Sequence, residues 1–591
     1  MYYFFCILLS IFFTVNQARE LHYISLGNAK YATDFTHFEY TNPNAPPGGN
    51  LTQIAYGSFD NVNPFILSGI AASGLGNTFD SLAIRSLDEP HSVYGLIAET
   101  FDIDYSQNKM TVKIRKNAFF SDGTPVLARD IITTWQTLKT HGHPYYQQYY
   151  RQVAKIQEVN DYTVIYFLQA HNPNTEIYLN LAQMPILSAN DLRDRDFSKT
   201  QTKPLIGSGP YKVQQYHLGK DITYERNPNY WGKHLAVNCG RHNVDSIKIL
   251  YYRDSVVALT AFKNHEHDIH FENVAKLWAT GYRGKALKKG KIIKENIPDH
   301  SPQSMQAFAM NLNNPLFKDR LVRKALNYAF NFSWLNSNLF YDSYTRTESY
   351  FTNSPYQANQ LPSKEELAIL EPYKEDLPKD IFDNIFQLPK GDASGNNRDN
   401  LILAKKWLEE SGWIIEGFHR VHQKTKKRFE FTLLIQSPSM KRICLPFKES
   451  LARLGITMHI QMVSPSTWIR KIKDHDYDMT TYVWPLSNFP GAEQMLYWHS
   501  KYAGKYGSDN ILNLQNPIVD NLVTQLTKAQ DNETLIRYAR VLDRVLLEGY
   551  YVIAHWYLPY WRIAYWQDIH HPKKHPLYGV DLASWWIEEA R

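Results

Sequence analysis

His265, His267 and His270 are residues of the type that holds a metal ion. Their spacing of i, i+2, i+5 matches no closed zinc signature such as C-x-x-C. Surface histidines are the simpler reading, and neither a metal nor a cofactor is expected. Asp474, Asp476 and Asp478 alternate with Tyr477 and Met479 between them, a strand-like pattern that reads as a polar edge rather than a catalytic dyad. The chain has no G-x-S-x-G elbow, no H-E-x-x-H, no Walker A loop and no paired C-x-x-C. An enzyme is therefore not expected; a secreted hydrolase is the alternative from that class.

The elements that would position a site are clearer. Gly209-Pro210 fixes a sharp entry into the alternating run Tyr211, Val213, Gln215, because glycine permits positive φ and proline presets it near −65°. Asp122-Gly123 is a turn signal after Val112, Ile114 and Phe119-Phe120. Asp130 stands where an N-cap would, ahead of the stripe Ile131, Ile132, Trp135, Leu138. Asp319 can cap a helix with the stripe Val322, Ala325, Leu326, Ala329. Thr163 to Leu168 reads as a buried strand.

Farther on, the segment from Phe429 to Ile435 reads as a strand. A helix follows with Ile443, Phe447, Leu451 and Leu454 buried and Pro446 in its first turn. Gly455 then stops it and Ile456 to Val463 is the next strand. Strand-helix-strand implies a parallel sheet, extended by Tyr477 to Val483. Pro355 to Asn400 reads as an irregular excursion. Leu535, Tyr538, Leu542, Val545 and Leu546 make a helical stripe before aromatics crowd Tyr550 to Trp566.

The chain has 591 residues, enough for several domains and an ample core. Its 40 Tyr and 14 Trp are enough to line a cleft as well as fill a core. The net charge of +6 is mild and dispersed, so no nucleic-acid partner is expected. The densest basic run, Lys285, Lys288, Lys289, Lys291 and Lys294, reads as a solvated surface segment. Met1 to Val15 is nearly all apolar and shorter than the ~20 residues that span a bilayer. It reads as a signal peptide over residues 1–18, giving a soluble secreted protein rather than a lipoprotein. Cleavage removes Cys6 and leaves Cys239 and Cys444, read as separate buried thiols.

Several motifs in order, Phe119 to Ile131, Gly207-Ser208-Gly209-Pro210-Tyr211 and Arg226-Asn227-Pro228-Asn229-Tyr230-Trp231-Gly232, resemble the family 5 extracellular solute-binding proteins. These are receptors that carry oligopeptides to ABC importers. The resemblance covers nearly the whole mature chain. It implies an α/β, bilobal periplasmic-binding-protein-like fold, type II, of the large class with an extra subdomain, mixed sheets flanked by helices and a cleft between lobes. The implied division is lobe I first part 19–78, extra subdomain 79–204, lobe I second part 205–305, lobe II 306–559 and a lobe I return 560–591. Two departures stand out: Val62-Asn63-Pro64 replaces Leu-Asn-Pro, and His265 lies near a usual glycine.

Within the family, His37 to Pro46 and Ser487 to Gln494 resemble a branch associated with peptides whose amino termini can be blocked or modified. Other peptide receptors carry an aspartate shortly after the tryptophan matched by Trp484, where it pairs with the peptide's ammonium. Leu486 or Ser487 stands there instead. The implied ligand contacts are Tyr56, Ser58, Phe59, Trp484, Ser487, Asn488, Glu493 and Gln494, with Glu493 as the alternative counter-ion. The implied partners are an oligopeptide ligand and the permease subunits of an ABC transporter, with the receptor a monomer. Nickel, haem or an oligosaccharide is the alternative solute.

Overall fold

The computed structural model describes residues 21–31, 34–169, 176–529 and 531–588. The expected signal segment 1–18, with Cys6, lies outside them. The first lobe is built on a four-stranded sheet in the order Asn50–Tyr56, Ser246–Tyr252, Asp221–Arg226, Tyr211–His217. Asn50–Tyr56 runs parallel to its neighbour and the other pairs are antiparallel. Beside it lies an antiparallel sheet of Ile269–Phe271, Tyr560–Trp566 and Ile292–Pro298. Asp268 clasps the two sheets: its carboxylate accepts the Thr52 N–H at 2.6 Å, and its own N–H donates to the Thr52 carbonyl at 2.8 Å.

A four-stranded antiparallel sheet of Ala98–Asp104, Lys109–Ile114, Thr163–Leu168 and Val153–Asn160 has its own core with the helix Ala128–His141. Thr163–Leu168 buries alternate residues, as its pattern predicts. Tyr23–Ser25 pairs with Ser92–Gly95, so the first strand joins this region rather than Asn50–Tyr56. Asp130 is not the N-cap of its helix. It sits one turn in, where its carboxylate accepts N–H bonds from Leu127 and Ala189, both at 2.8 Å.

The second lobe is a mixed five-stranded sheet in the order Thr457–Met462, Glu430–Ile435, Met479–Trp484, Met305–Met310, Val552–Ala554. Glu430–Ile435 and Thr457–Met462 are parallel across the helix Pro438–Arg453, as the strand-helix-strand pattern requires. Pro446 lies in the middle of that helix, because Pro438 takes the first-turn position where a missing N–H costs nothing. Gly455 ends it with φ +78°. Asp319 caps Arg320–Ala329, and Asp531 caps Asn532–Glu548. The excursion 355–400 carries short helices, Lys364–Leu370 and Asp380–Asp383.

Asp474, Asp476 and Asp478 do not form a strand edge. Asp474 ends the helix Pro465–Lys473, Asp476 pairs with Lys471, and Asp478 accepts bonds from Thr432 N and Asn314. Of the basic run, Lys294 is not solvated surface: its ammonium lies 4.1 Å from the Trp278 ring centre and donates to the Trp278 carbonyl at 2.7 Å. Cys239 and Cys444 are both free thiols; Cys444 is buried and Cys239 half-buried.

The chain passes between lobes twice, through 299–304 and 555–559. The antiparallel pair 292–298 with 560–566 lies on one side, and the pair 307–309 with 552–554 on the other. Within the hinge the Asp299 N–H donates to Pro559 O at 3.0 Å, and the His555 N–H to Gln306 O at 2.8 Å.

Two of the three turn motifs converge on the segment 78–80, and the third joins them through the Ser121 N–H, which donates to Gly207 O at 2.8 Å. A Cβ on Gly207 would stand 1.8 Å from the Thr78 carbonyl oxygen, and one on Gly209 2.6 Å from the Phe79 nitrogen. Close approach, not positive φ, is what these glycines supply. Asp80 then accepts the Tyr230 hydroxyl at 3.1 Å and the Trp231 indole N–H at 3.0 Å, while its own N–H donates to Ser208 Oγ at 3.2 Å. Burial pushes the Asp80 carboxyl up to about 8, against the pull of those two bonds. Asp80→Ala leaves the buried Tyr230 hydroxyl without its acceptor, at roughly 1–3 kcal/mol, while the Trp231 indole N–H keeps its bond to Ser208 O at 3.1 Å. We expect a lowered calorimetric unfolding temperature, with Tyr230→Phe giving a smaller drop that is non-additive with Asp80→Ala.

Candidate functional site

A cavity of about 450 Å³ opens between the lobes at the hinge. Phe271, Glu272, Trp561 and Arg562 line it from the first lobe, Gln306 and Val483 from the second, and Trp556 and Tyr557 from the returning hinge. Gln306 and Val483 are opposite each other in the ladder. Met479–Trp484 pairs with Glu430–Ile435 only through Met479 and Thr480. Among the described residues, its last four positions have no strand on that side. Such an edge can accept an extended chain.

Arg562 is 2% exposed, and none of its three guanidinium nitrogens has a hydrogen-bond partner among the described residues. Its charge lies 5.2 Å from the Tyr344 ring centre and 6.0 Å from that of Tyr560. A buried unpaired guanidinium is costly, and aromatic faces offset only part of that. Its backbone carbonyl accepts the Glu272 N–H at 2.9 Å, which places a carboxylate residue beside it. Glu272 is 2% exposed and its Oε1 accepts Val274 N at 2.8 Å.

Behind Glu272 lie two of the histidines expected on the surface. His267 and His270 are fully buried, with His267 Nε2 3.0 Å from His270 Nδ1 and His270 Nε2 3.7 Å from Glu272 Oε2. They pack on Phe262, and burial drives His267 down to about 3. His265 alone is exposed; it takes φ +62°, the left-handed conformation that favours glycine, and stacks on Trp566 at 3.8 Å.

The loop after Trp484 meets the first lobe at a second place. Phe489 packs on His91, with ring centres 5.5 Å apart, and Tyr356 approaches His91 Nε2 at 3.3 Å. Gly491 lies between two carboxylates: a Cβ there would be 3.1 Å from Glu176 Oε2 and 3.3 Å from Glu493 Oε2. Burial first, then the Glu493 charge, raises Glu176 to about 7, with Arg85 pulling the other way. Burial also raises Glu493, although its Oε1 accepts Gly491 N at 2.9 Å and Gln494 Nε2 at 3.3 Å. His91 is held down to about 4 by burial and by the Arg85 charge.

The sequence-derived contacts divide. Ser487, Asn488, Glu493 and Gln494 share this loop, but Ser487 Oγ bonds to Phe489 within its own turn and Gln494 accepts the Trp498 indole N–H at 2.8 Å. Neither is the open neutral partner the sequence suggests. Trp484 and Phe59 are each 2% exposed. Trp484 packs on Tyr482 and Trp498, and Phe59 on Tyr251, so both belong to cores rather than to a ligand wall. Tyr56 is exposed at the end of its strand, and burial and then the Glu272 charge raise its phenol; it does not line the hinge cavity. Ser58 lies apart, against Gly219.

Arg562, Glu272 and Glu176 were missed. The signal for Arg562 was a charge at an interior position of an otherwise apolar aromatic strand. Glu272 and Glu176 had none, because their partners come from distant segments.

This architecture and its sequence have relatives. Residues 92–506 match the family model of the bacterial extracellular solute-binding proteins, family 5. The chain belongs to this family. It is 38% identical to the uncharacterized protein YejA of Escherichia coli K12 over 566 residues, covering 95% of this chain and 92% of the relative. It is 34% identical to the probable peptide-binding protein YejA of Agrobacterium fabrum over 576 residues, covering 96% and 94%. The solved structure of the oligopeptide-binding protein AppA from Bacillus subtilis, in complex with a nonapeptide, is similar in fold. Its TM-score is 0.62 at 21% identity, over 92% of this chain and all of that one. Among the described residues no helix is long and apolar enough to cross a membrane.

Glu176 and Glu493 flank Gly491 where the loop after Trp484 meets the first lobe, so their ionisation bears on how the lobes associate. A carboxyl raised to about 7 is protonated in the closed form below that pH and ionised in the separated lobes above the ordinary carboxylate range. Closed-state stability from this pair is therefore lost as pH rises toward and through 7. We expect the ligand-free radius of gyration from small-angle scattering to increase between about pH 5.5 and pH 8.5, Glu176→Gln to flatten that change, and Glu493→Gln, which removes only the second cause, to reduce it. A radius constant over this range would contradict it.

Proposed function

We propose that this family 5 protein is the periplasmic receptor of an ABC importer, and that it captures oligopeptides at the hinge cavity. The observation that carries the reading is Arg562, a buried guanidinium without a partner in a cavity walled by Trp556, Tyr557 and Trp561. A peptide supplies what such a site lacks: a carboxylate for the guanidinium, main-chain groups for the open edge of Met479–Trp484, and side chains for aromatic walls. Its relatives, a probable peptide-binding protein and an oligopeptide-binding protein, support the same class.

The absence of an aspartate at Leu486 and Ser487 supports ligands whose amino terminus need not be free. The reading divides the chain at the two hinge passages, with 306–559 as the second lobe and 560–591 returning to the first. Cleavage of residues 1–18 and a monomeric receptor that hands intact peptide to a permease complete it.

Calorimetry on one peptide in free, N-acetylated and C-amidated forms tests the binding mode. Unpairing a buried charge costs about 2–5 kcal/mol, so amidation and Arg562→Gln should each weaken binding roughly 30-fold or more, without compounding. Acetylation should cost less than about tenfold. Binding indifferent to amidation would remove Arg562 from the site. A loss above tenfold on acetylation, absent in Glu493→Gln, would give Glu493 the ammonium. Cleavage of the peptide would overturn the receptor reading.

A further inference from the structure

Away from the hinge cavity, three donors converge on the first lobe. Glu295 projects from Ile292–Pro298, the strand that leads into the outgoing hinge passage. His571 and His575, four residues apart, come from the chain that follows the returning strand Tyr560–Trp566. Glu295 Oε2 is 3.0 Å from His571 Nε2, and Glu295 Oε1 is 3.3 Å from His575 Nε2. All three ligand atoms lie within 4.8 Å of one another. Zinc bound tetrahedrally at about 2.0–2.1 Å separates its ligand atoms by roughly 3.3 Å. Each imidazole nitrogen thus already lies near that separation from one of the two Glu295 oxygens, and a small side-chain adjustment brings all three donors onto one ion.

The proton positions sharpen the point. His571 Nδ1 is 2.9 Å from the Pro572 carbonyl oxygen, which can only accept. Nδ1 therefore carries a proton, and in the neutral ring Nε2 holds a lone pair. That lone pair faces a carboxylate oxygen at 3.0 Å, so a cation or a second ring proton must lie between them. A ligating histidine whose other nitrogen donates to a backbone carbonyl is the usual outer support of a metal centre. Tyr565, on the returning strand, adds a hydroxyl 2.9 Å from Glu295 Oε2 and 3.1 Å from His571 Nε2. The His571 ring is also held in place by Trp585, with centres 4.7 Å apart, and by His575 at 4.6 Å. The three side chains are 15–29% exposed, enough for an ion to enter.

We propose that Glu295, His571 and His575 form a binding site for a divalent transition metal, with zinc the best fit. Two imidazoles and a carboxylate suit zinc, and water or the Tyr565 hydroxyl completes four-coordination. The bound ion joins the outgoing strand to the returning chain on the first-lobe side of the hinge. None of its ligands lines the hinge cavity, so the site is separate from peptide capture.

Zinc titration of the chelator-treated full-length protein by calorimetry, with bound metal counted by mass spectrometry, tests this. One equivalent should bind with micromolar or tighter affinity, weakened at least tenfold in Glu295→Gln and in His575→Ala. Cobalt(II) added to the wild type should give the absorption bands of a tetrahedral ion, a readout independent of how the variants fold. Long-range nitrogen–proton NMR should show His571 keeping its Nδ1 proton while Nε2 shifts on metal addition. Zinc uptake equal in wild type and Glu295→Gln, six-coordinate cobalt spectra, or both rings remaining doubly protonated in excess zinc would each overturn the proposal in favour of a plain histidine–carboxylate ion pair.

Discussion

The antiparallel pairing of Ile292–Pro298 with Tyr560–Trp566 is the constraint on which the rest of the molecule rests. It ties the strand that leaves the first lobe to the strand that returns, over seven residue pairs. Just across the hinge, Met305–Met310 and Val552–Ala554 repeat the arrangement inside the second sheet. The two passages are therefore short, adjacent and anchored at both ends. Lobes joined in this way can rotate about the hinge but cannot separate or slide freely. The cavity and Arg562 lie where that motion is centred.

A fold of this kind carries its polar cost at chosen places. In the first lobe, Asp80 gathers the hydrogen bonds of two distant turn motifs. Burial raises its pKa, yet the Tyr230 hydroxyl would be stranded without it and the Trp231 indole would keep only its bond to Ser208 O. At the contact between lobes the balance differs. Glu176 and Glu493 meet with Arg85 and His91 nearby, and like charges in a buried setting oppose closure as they ionise. At the cavity, Arg562 has aromatic faces but no hydrogen-bond partner. Asp80 is satisfied by its own lobe, whereas the Arg562 guanidinium has no hydrogen-bond partner among the described residues.

The glycine motifs illustrate how a local signal can be right about place and wrong about cause. Gly207 and Gly209 were legible as a turn. Their requirement comes from the backbone of 77–79 pressing against them, a contact made across more than a hundred residues. His265 is the converse case. It holds a left-handed backbone without being glycine, and stacking on Trp566 accompanies that conformation.

By itself the sequence determined the mixed α/β class, the parallel strand-helix-strand unit at 430–462, the helix capped by Asp319, the helical stripe from Leu535 to Leu546, and the family. These rest on local periodicity, capping and turn chemistry, which act over a few residues, and on motif order along the chain. Tertiary structure alone decided which candidate side chains stay open and which are sealed. Trp484 and Phe59 carry the aromatic character of a binding wall, yet packing seals both into cores. Arg562 and Glu272 are neighbours only because strands from residues 269–271 and 560–566 pair. His267 and His270 are buried, while His571 and His575 meet Glu295 from nearly three hundred residues away. Burial and long-range pairing follow from how sheets stack and close, and one-dimensional spacing carries no record of that.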